Sequence, residues 1–189
     1  DLDYPRKNQE VDYTHKDQDS THKDRMVDYT DGYIGDLVLS QDGKFIYAVD
    51  QINFRMIIVD AVNRKLTASI PVGRYPFGIC LSPDEKEAYI ANVGMYEYKV
   101  IPGIDPDNYL ETALEFPPFA YLSEESIKGI DTDTLKVPGL GDPNVPESFS
   151  VWTVDLASKK VISKVKTGIL VGEKIEDFPA VGGASPNSL

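Results

Sequence analysis

Apolar positions in this chain come in short runs separated by turn residues, and the pattern begins abruptly near residue 32. "DLVLS" (36–40) leads through the turn "QDGK" to "FIYAVDQ" (45–51), then "RMIIVDA" (55–61) and "KLTASIPVG" (65–73). Each run is rich in Val, Ile, Leu or Tyr and is bounded by Gly, Asp or Asn, which is the texture of strands joined by tight turns. Alternation with period two is clearest at Leu66, Ala68 and Ile70, and no stretch sustains a helical repeat over three turns. The pattern predicts an all-β chain.

The runs repeat. Leu37-Val-Leu-Ser-Gln-Asp-Gly-Lys returns 42 positions later as Ile79-Cys-Leu-Ser-Pro-Asp-Glu-Lys, and Tyr47-Ala-Val-Asp50 returns as Tyr89-Ile-Ala-Asn92. The second half of the unit, "MIIVDAVNRKLTASIPVG" (56–73), returns as "VWTVDLASKKVISKVKTG" (151–168), displaced by 95. The difference of 53 places an insertion of that length in the second unit, at about 96–148. Pro186-Asn-Ser-Leu189 matches Pro76-Phe-Gly-Ile79 at an offset of 110, so the ending reads as the opening of a third unit after a further 15 inserted residues. A four-stranded unit of roughly 42 residues is the period of a β-propeller blade. The expected organisation is a polar arm (1–31), a blade (32–73), a blade carrying the insertion (74–168), and a linker with the start of another blade (169–189). Two blades and the opening of a third make an incomplete propeller, whose outer faces call for further blades or an adjoining domain.

The stretch "IPVGRYPFGICLSPDEKEAYIAN" (70–92) resembles the blade motif of the YVTN, or YncE-like, β-propeller family, and "LSQDGKFIYAVD" and "VDAVNRKLTASIPVG" keep parts of it. The resemblance covers 32–97 and 149–189. It implies a non-catalytic binding or scaffold module of a larger extracytoplasmic bacterial protein, whose export signal lies upstream of this segment. More narrowly, the long insertion and "TGILVGEKIED…GGASPN" resemble the propeller part of bacterial proteins that join such a propeller to an alkaline-phosphatase-like phosphoesterase domain. That resemblance implies an alternative role as the propeller half of a secreted metal-dependent phosphoesterase, whose metal-binding motifs are absent from these 189 residues.

Charge narrows the partners. The net charge of −12 argues against nucleic acid and anionic lipid, both of which require clustered Lys and Arg. No apolar run is long enough to insert into a membrane. The single cysteine, Cys80, rules out an intrachain disulfide and sits in "GICLS" as a small hydrophobe. Both histidines, His15 and His22, fall in the two "THKD" copies of the polar arm, so histidine-based acid–base chemistry is excluded from the blades. No nucleophile elbow, P-loop or HExxH motif occurs.

Candidate chemistry therefore rests on loops. "GRYPFG" (73–78) joins one blade to the next and offers Arg74, Tyr75 and Phe77 near the expected channel mouth, where Asp50 and Asn92 end equivalent strands. These five are candidate ligand contacts, with loop packing as the competing reading of each. The corresponding positions of the third copy, Ala184, Ser185 and Asn187, are small or polar. The insertion is acidic and Pro-rich, with ten Asp and Glu against two Lys between 101 and 148, and its Phe116, Phe119 and Tyr121 are candidate contacts to a protein partner or neighbouring domain. No cofactor is identified. Asp105, Asp107, Asp131 and Asp133 are conceivable calcium ligands, without the EF-hand spacing. Gly73 and Gly168, at strand ends, are expected to meet either a positive φ or a close backbone approach.

Overall fold

The computed structural model describes residues 32–98, 103, 105–112, 123–180, 185–187 and 189. The polar arm with His15 and His22, and the aromatic cluster Phe116, Phe119 and Tyr121, lie outside the described residues. So do Ala184 and residue 188 near the expected third unit.

Strands β1 (Ile34–Leu39), β2 (Phe45–Asp50), β3 (Arg55–Asp60) and β4 (Lys65–Pro71) form one antiparallel meander in sequence order. A second begins with β5 (Pro76–Leu81) and β6 (Glu87–Asn92). The chain then leaves the sheet for 57 residues, which include a single 3-10 turn (Pro106–Asn108), α1 (Tyr109–Thr112), α2 (Glu124–Lys128) and the hairpin β7 (Gly129–Asp131) and β8 (Lys136–Pro138). It returns as β9 (Ser150–Asp155) and β10 (Lys160–Lys166), and the sheet order is β10-β9-β6-β5. A small hairpin, β11 (Lys174–Ile175) and β12 (Phe178–Pro179), follows. The fold is all-β and open: two four-stranded blades, the second split by a long insertion. Among the described residues the short helices depart from the strand pattern. Ser123 caps α2 by accepting the Ser126 amide, a local signal confined to a segment too short for periodicity to show.

The repeat extends to irregularities. The register of β1 on β2 slips at Gly35, and that of β5 on β6 slips at Phe77, 42 residues later. The register of β4 on β3 slips at Thr67, and that of β10 on β9 slips at Ile162, 95 residues later. These bulges correct the alternation expected of Leu66, Ala68 and Ile70. Ala68 and Ile70 pack into the core, whereas Leu66 lies across from Val59 beyond the bulge and is exposed. An extra residue reverses the facing of everything on one side of it.

The hairpin turns also match. Ser40 and Ser82 hydroxyls donate to Asp42 and Asp84, whose carboxylates accept the amides of Lys44 and Lys86 and pair with their ammonium groups at 2.9 Å. Gly43 takes φ 72 in the first turn, and Glu85 takes φ 52 at the same position in the second. The Lys44 hydrogen bonds hold the Asp42 carboxyl at about 2, and those of Lys86 and Ser82 hold Asp84 there too. Folded-state values below the unfolded ones mean that the stabilisation is complete above about pH 4 and fades as pH falls toward 2. Acid titration of the urea midpoint is expected to show loss in that window, reduced in Asp42→Asn/Asp84→Asn.

The blades share one core. The front face of the first, with Tyr47, Val49, Met56 and Ile58, packs on the back face of the second, with Ile79, Ala88, Ile90, Trp152 and Val154. Val49, Met56, Ile90 and Val154 are fully buried there. Asp36 Oδ2 bridges the blades by accepting the Ile79 amide at 3.1 Å, and Glu85 Oε1 accepts that of Gln41 at 2.6 Å. A separate apolar patch of Ala48, Ile57 and Val59, flanked by Ile46, lies on the back of the first blade.

Candidate functional site

The strand ends that carry Asp50 and Asn92 gather at one end of the two blades, together with the crossover loop and the roots of the insertion. Every β2–β3 turn must reverse the chain there, and the first does so through Asp50. Its Oδ1 accepts the Tyr33 amide at 3.1 Å and the Asn53 amide at 3.3 Å, while Oδ2 accepts from Asn53 Nδ2 at 2.7 Å and Arg55 Nε at 2.8 Å. The side chain is fully buried. Burial alone would raise its pKa, but the hydrogen bonds from Asn53, Arg55 and Tyr33 and the Arg55 charge hold it below the ordinary aspartate value. Phe54 then takes φ 48 to deliver the chain into β3.

In the second blade the repeat-equivalent of Asp50 is Asn92, also fully buried. Its Nδ2 donates to the carbonyls of Ile90 at 3.4 Å and Ser150 at 3.2 Å and approaches Ser150 Oγ at 3.4 Å. Ser148 and Ser150 stand where the first blade has Asn53 and Arg55, and Phe149 repeats the positive φ of Phe54. The exchange of a charged cluster for a neutral one follows from the insertion. The second blade has no four-residue turn here, and the long excursion needs its two roots tied.

The ties are specific. Lys166 Nζ donates to the Val145 carbonyl at 3.2 Å, the Ser148 carbonyl at 2.9 Å and Ser148 Oγ at 2.8 Å. Burial lowers its pKa. Trp152 Nε1 donates to the Pro146 carbonyl at 3.3 Å, and the Lys164 ammonium lies 3.9 Å from the centre of the Trp152 ring. Asn144 exchanges two hydrogen bonds with the Val171 backbone, at 2.8 and 3.0 Å. Arg74 donates through Nη1 to the carbonyls of Met95 at 2.8 Å and Asp142 at 3.3 Å, and its own amide donates to Glu147. One guanidinium thus joins the outgoing and returning roots.

Of the candidate ligand residues, Arg74 is half-buried and serves the insertion, and Tyr75 packs edge-on against Phe54 at 4.7 Å. Phe77 is the bulged residue of β5 and is exposed. Asp50 and Asn92 face inward. Lys166, Ser148 and Ser150 were not foreseen. The signal that would have found them was their departure from the repeat, since Lys166 replaces Pro71 and Ser150 replaces Arg55. Asp105 accepts the Asp107 amide, and Asp131 pairs with Lys136. Among the described residues no cluster of His, Cys, Asp and Glu gathers to hold a metal ion. No helix among them is long and apolar enough to cross a membrane.

Gly73 and Gly168 meet the two alternative demands separately. Gly168 has φ 74, whereas a Cβ on Gly73 would sit 2.5 Å from Asn92 Cγ and 2.7 Å from the Glu147 carbonyl oxygen. Gly73→Ala is expected to cost about 1–3 kcal/mol, because one of its obstacles is backbone that cannot swing aside. Equilibrium urea unfolding measures it.

No family model matches the chain, and no curated protein matches it. Among solved structures, hydrazine synthase of Kuenenia stuttgartiensis aligns at 21% identity over 68% of this chain and 36% of that chain, with a TM-score of 0.31. The β-propeller domain of Myceliophteria thermophila Cps50 (Swd1) aligns at 10% identity over 75% and 43%, with a TM-score of 0.32. U3-55K aligns at 10% identity over 74% and 41%, with a TM-score of 0.31. The chain spans well under half the length of these structures.

Proposed function

We propose that this chain is a non-catalytic binding and scaffold segment of a YVTN-type propeller in a larger extracytoplasmic bacterial protein, and that it presents the insertion between β6 and β9 to a protein partner. The observation that carries this reading is the tying of the insertion roots to the blades by Arg74, Lys166 and Trp152, and to the following linker by Asn144. A segment that only filled space would not need its roots held at so many points. Of the buried polar groups at this end, Asp50 is engaged in backbone reversal, and Asn92 joins the ends of β6 and β9 through its Nδ2 while its Oδ1 has no hydrogen-bond partner. Recognition is therefore assigned to the insertion, with Phe116, Phe119 and Tyr121 as its apolar contacts, and to the exposed Phe77 of β5.

The test replaces residues 99–141 with a short Gly-Ser linker, leaving the tied root from Asp142 onward. Affinity capture from periplasmic extract is then compared for the intact and shortened chains. The expected result is a partner retained by the intact protein, lost on shortening, and lost again in Phe116→Ala/Phe119→Ala/Tyr121→Ala with the fold preserved. Equal capture by both chains overturns the reading.

A further inference from the structure

The returning root of the insertion, Asp142-Pro-Asn-Val-Pro-Glu-Ser148, turns several of its oxygens onto one point. At that point stands the ammonium of Lys166. It lies 2.8 Å from Ser148 Oγ, 2.9 Å from the Ser148 carbonyl oxygen, 3.2 Å from that of Val145 and 3.5 Å from that of Pro143. The shape of this cage does not depend on Lys166. Pro143 and Pro146 each have φ fixed by the ring. The Ser148 amide donates to the Val145 carbonyl at 3.1 Å, and the Ser148 hydroxyl donates to the Pro143 carbonyl, which leaves an oxygen lone pair facing the ammonium. The Asn144 amide donates to Asp142 Oδ1 at 2.8 Å, its side chain donates to the Val171 carbonyl, and the Trp152 indole holds the Pro146 carbonyl. Ser148 is fully buried, so its two oxygens meet no solvent while Lys166 is in place.

We propose that this root is a site for one monovalent cation, filled in the intact chain by the Lys166 ammonium and, where that side chain is cut back, by potassium or free ammonium. The oxygens themselves argue the class. All four are neutral, three carbonyls and a hydroxyl, and carbonyl oxygens are what replace the hydration shell of potassium in proteins. The spacing is too wide for harder ions, since calcium takes its oxygens at about 2.3–2.6 Å and magnesium at about 2.0–2.1 Å. Asp142, Glu147 and Arg74 are close enough to act on the ammonium through their charge, the two carboxylates favouring a cation there and Arg74 opposing it. An ammonium on a flexible stem is a compact point charge with three donors, which suits a rounded cage better than the planar fork of an arginine. Lys166 is thus a positioning residue: its charge orders the segment through which the insertion re-enters β9. The inference concerns the root alone and stands whether or not the insertion binds a partner.

Amide hydrogen exchange of the Lys166→Ala chain tests it, in potassium, ammonium, sodium or choline chloride at equal ionic strength. The reporters are the amides of Arg74, Ser148 and Phe149, which donate to the Glu147, Val145 and Gly94 carbonyls around the roots. In choline chloride their exchange is expected to quicken about tenfold over the parent chain, the effect of leaving buried acceptors unpaired. Potassium and ammonium are expected to restore the slow exchange in a saturable way, and the smaller sodium ion to restore less of it. The parent chain, with its own ammonium in the cage, is expected to respond to none of these ions. The Gln51 amide, bonded to the Tyr33 carbonyl in the first blade, is the control and is expected to stay unchanged. Lys166→Ser takes the place of Lys166→Ala where the alanine variant does not fold. Equal exchange in all four salts overturns the proposal and leaves Lys166 as a hydrogen-bond donor only. So does a variant whose root exchanges as slowly as the parent's in choline chloride.

Discussion

Asp50→Ala is expected to destabilise the chain by about 3–5 kcal/mol, because it strips the partner from the buried side of an ion pair and orphans several donors at once. Arg55 is 20% accessible at its side chain and Asp50 is inaccessible, so water cannot replace the lost carboxylate without opening the turn. The Asn53 side chain and the Tyr33 amide lose their acceptor in the same step. Asp50→Asn keeps the shape and half of the acceptor capacity, and its cost is expected to be smaller. The measurement is equilibrium urea unfolding of both variants, each also in an Arg55→Met background. A clear reduction of the Asp50→Ala cost in that background identifies the pair as the source. A cost below about 1 kcal/mol in the parent background would contradict the account.

The second large effect is expected at Trp152. Trp152→Ala removes the largest side chain of the interface between the blades, where it is 4% accessible, and the cost is about 3–5 kcal/mol. Two further contacts go with it: the indole donor to Pro146 and the ring face beneath Lys164. Trp152→Phe separates these contributions. It restores most of the apolar volume but not the hydrogen bond to the insertion root, so an intermediate stability is expected. Lys164→Met, which removes the charge over the ring together with the exposed 3.9 Å ion pair to Glu147, is expected to cost about 0.5–1 kcal/mol. Chemical denaturation followed by far-ultraviolet circular dichroism reads all three, and keeps the measurement independent of the chain's single tryptophan.

The blades were legible because each strand states its limits locally. Residues 45–51 and 55–61 have turn residues at both ends and apolar interiors, and the structure places β2 and β3 within them. The matching turns around Asp42 and Asp84 were readable for the same reason, since serine, aspartate and lysine at fixed spacing bond to one another. The bulges were not. Leu66 belongs to an apparently regular alternation, and only pairing with β3 reveals that Thr67 is the extra residue. The candidate site was less legible still. Asp50 and Arg55 are five positions apart in one hairpin, but Lys166 meets Ser148 and Val145 through a contact that depends on where the insertion re-enters the sheet. Sequence spacing carries no record of that approach. Nor does it separate Arg74 as a ligand contact from Arg74 as a link between the insertion roots, because the difference lies in which carbonyls stand opposite.

The split between β6 and β9 also has a kinetic consequence. In the first blade β2 and β3 are joined by four residues, whereas β6 and β9 are separated by 57. Closing the longer loop costs about 2 kcal/mol more in chain entropy, from the logarithmic dependence on length. Non-local pairing is slow pairing. The first blade is therefore expected to form as a local meander and to offer its front face as a template on which β5 and β6 settle. Strands β9 and β10 close last, and Lys166 of β10 then takes up the returning root. Shortening the insertion then accelerates the final step and leaves the first blade's formation unchanged, which makes the insertion a timer on assembly as well as a surface.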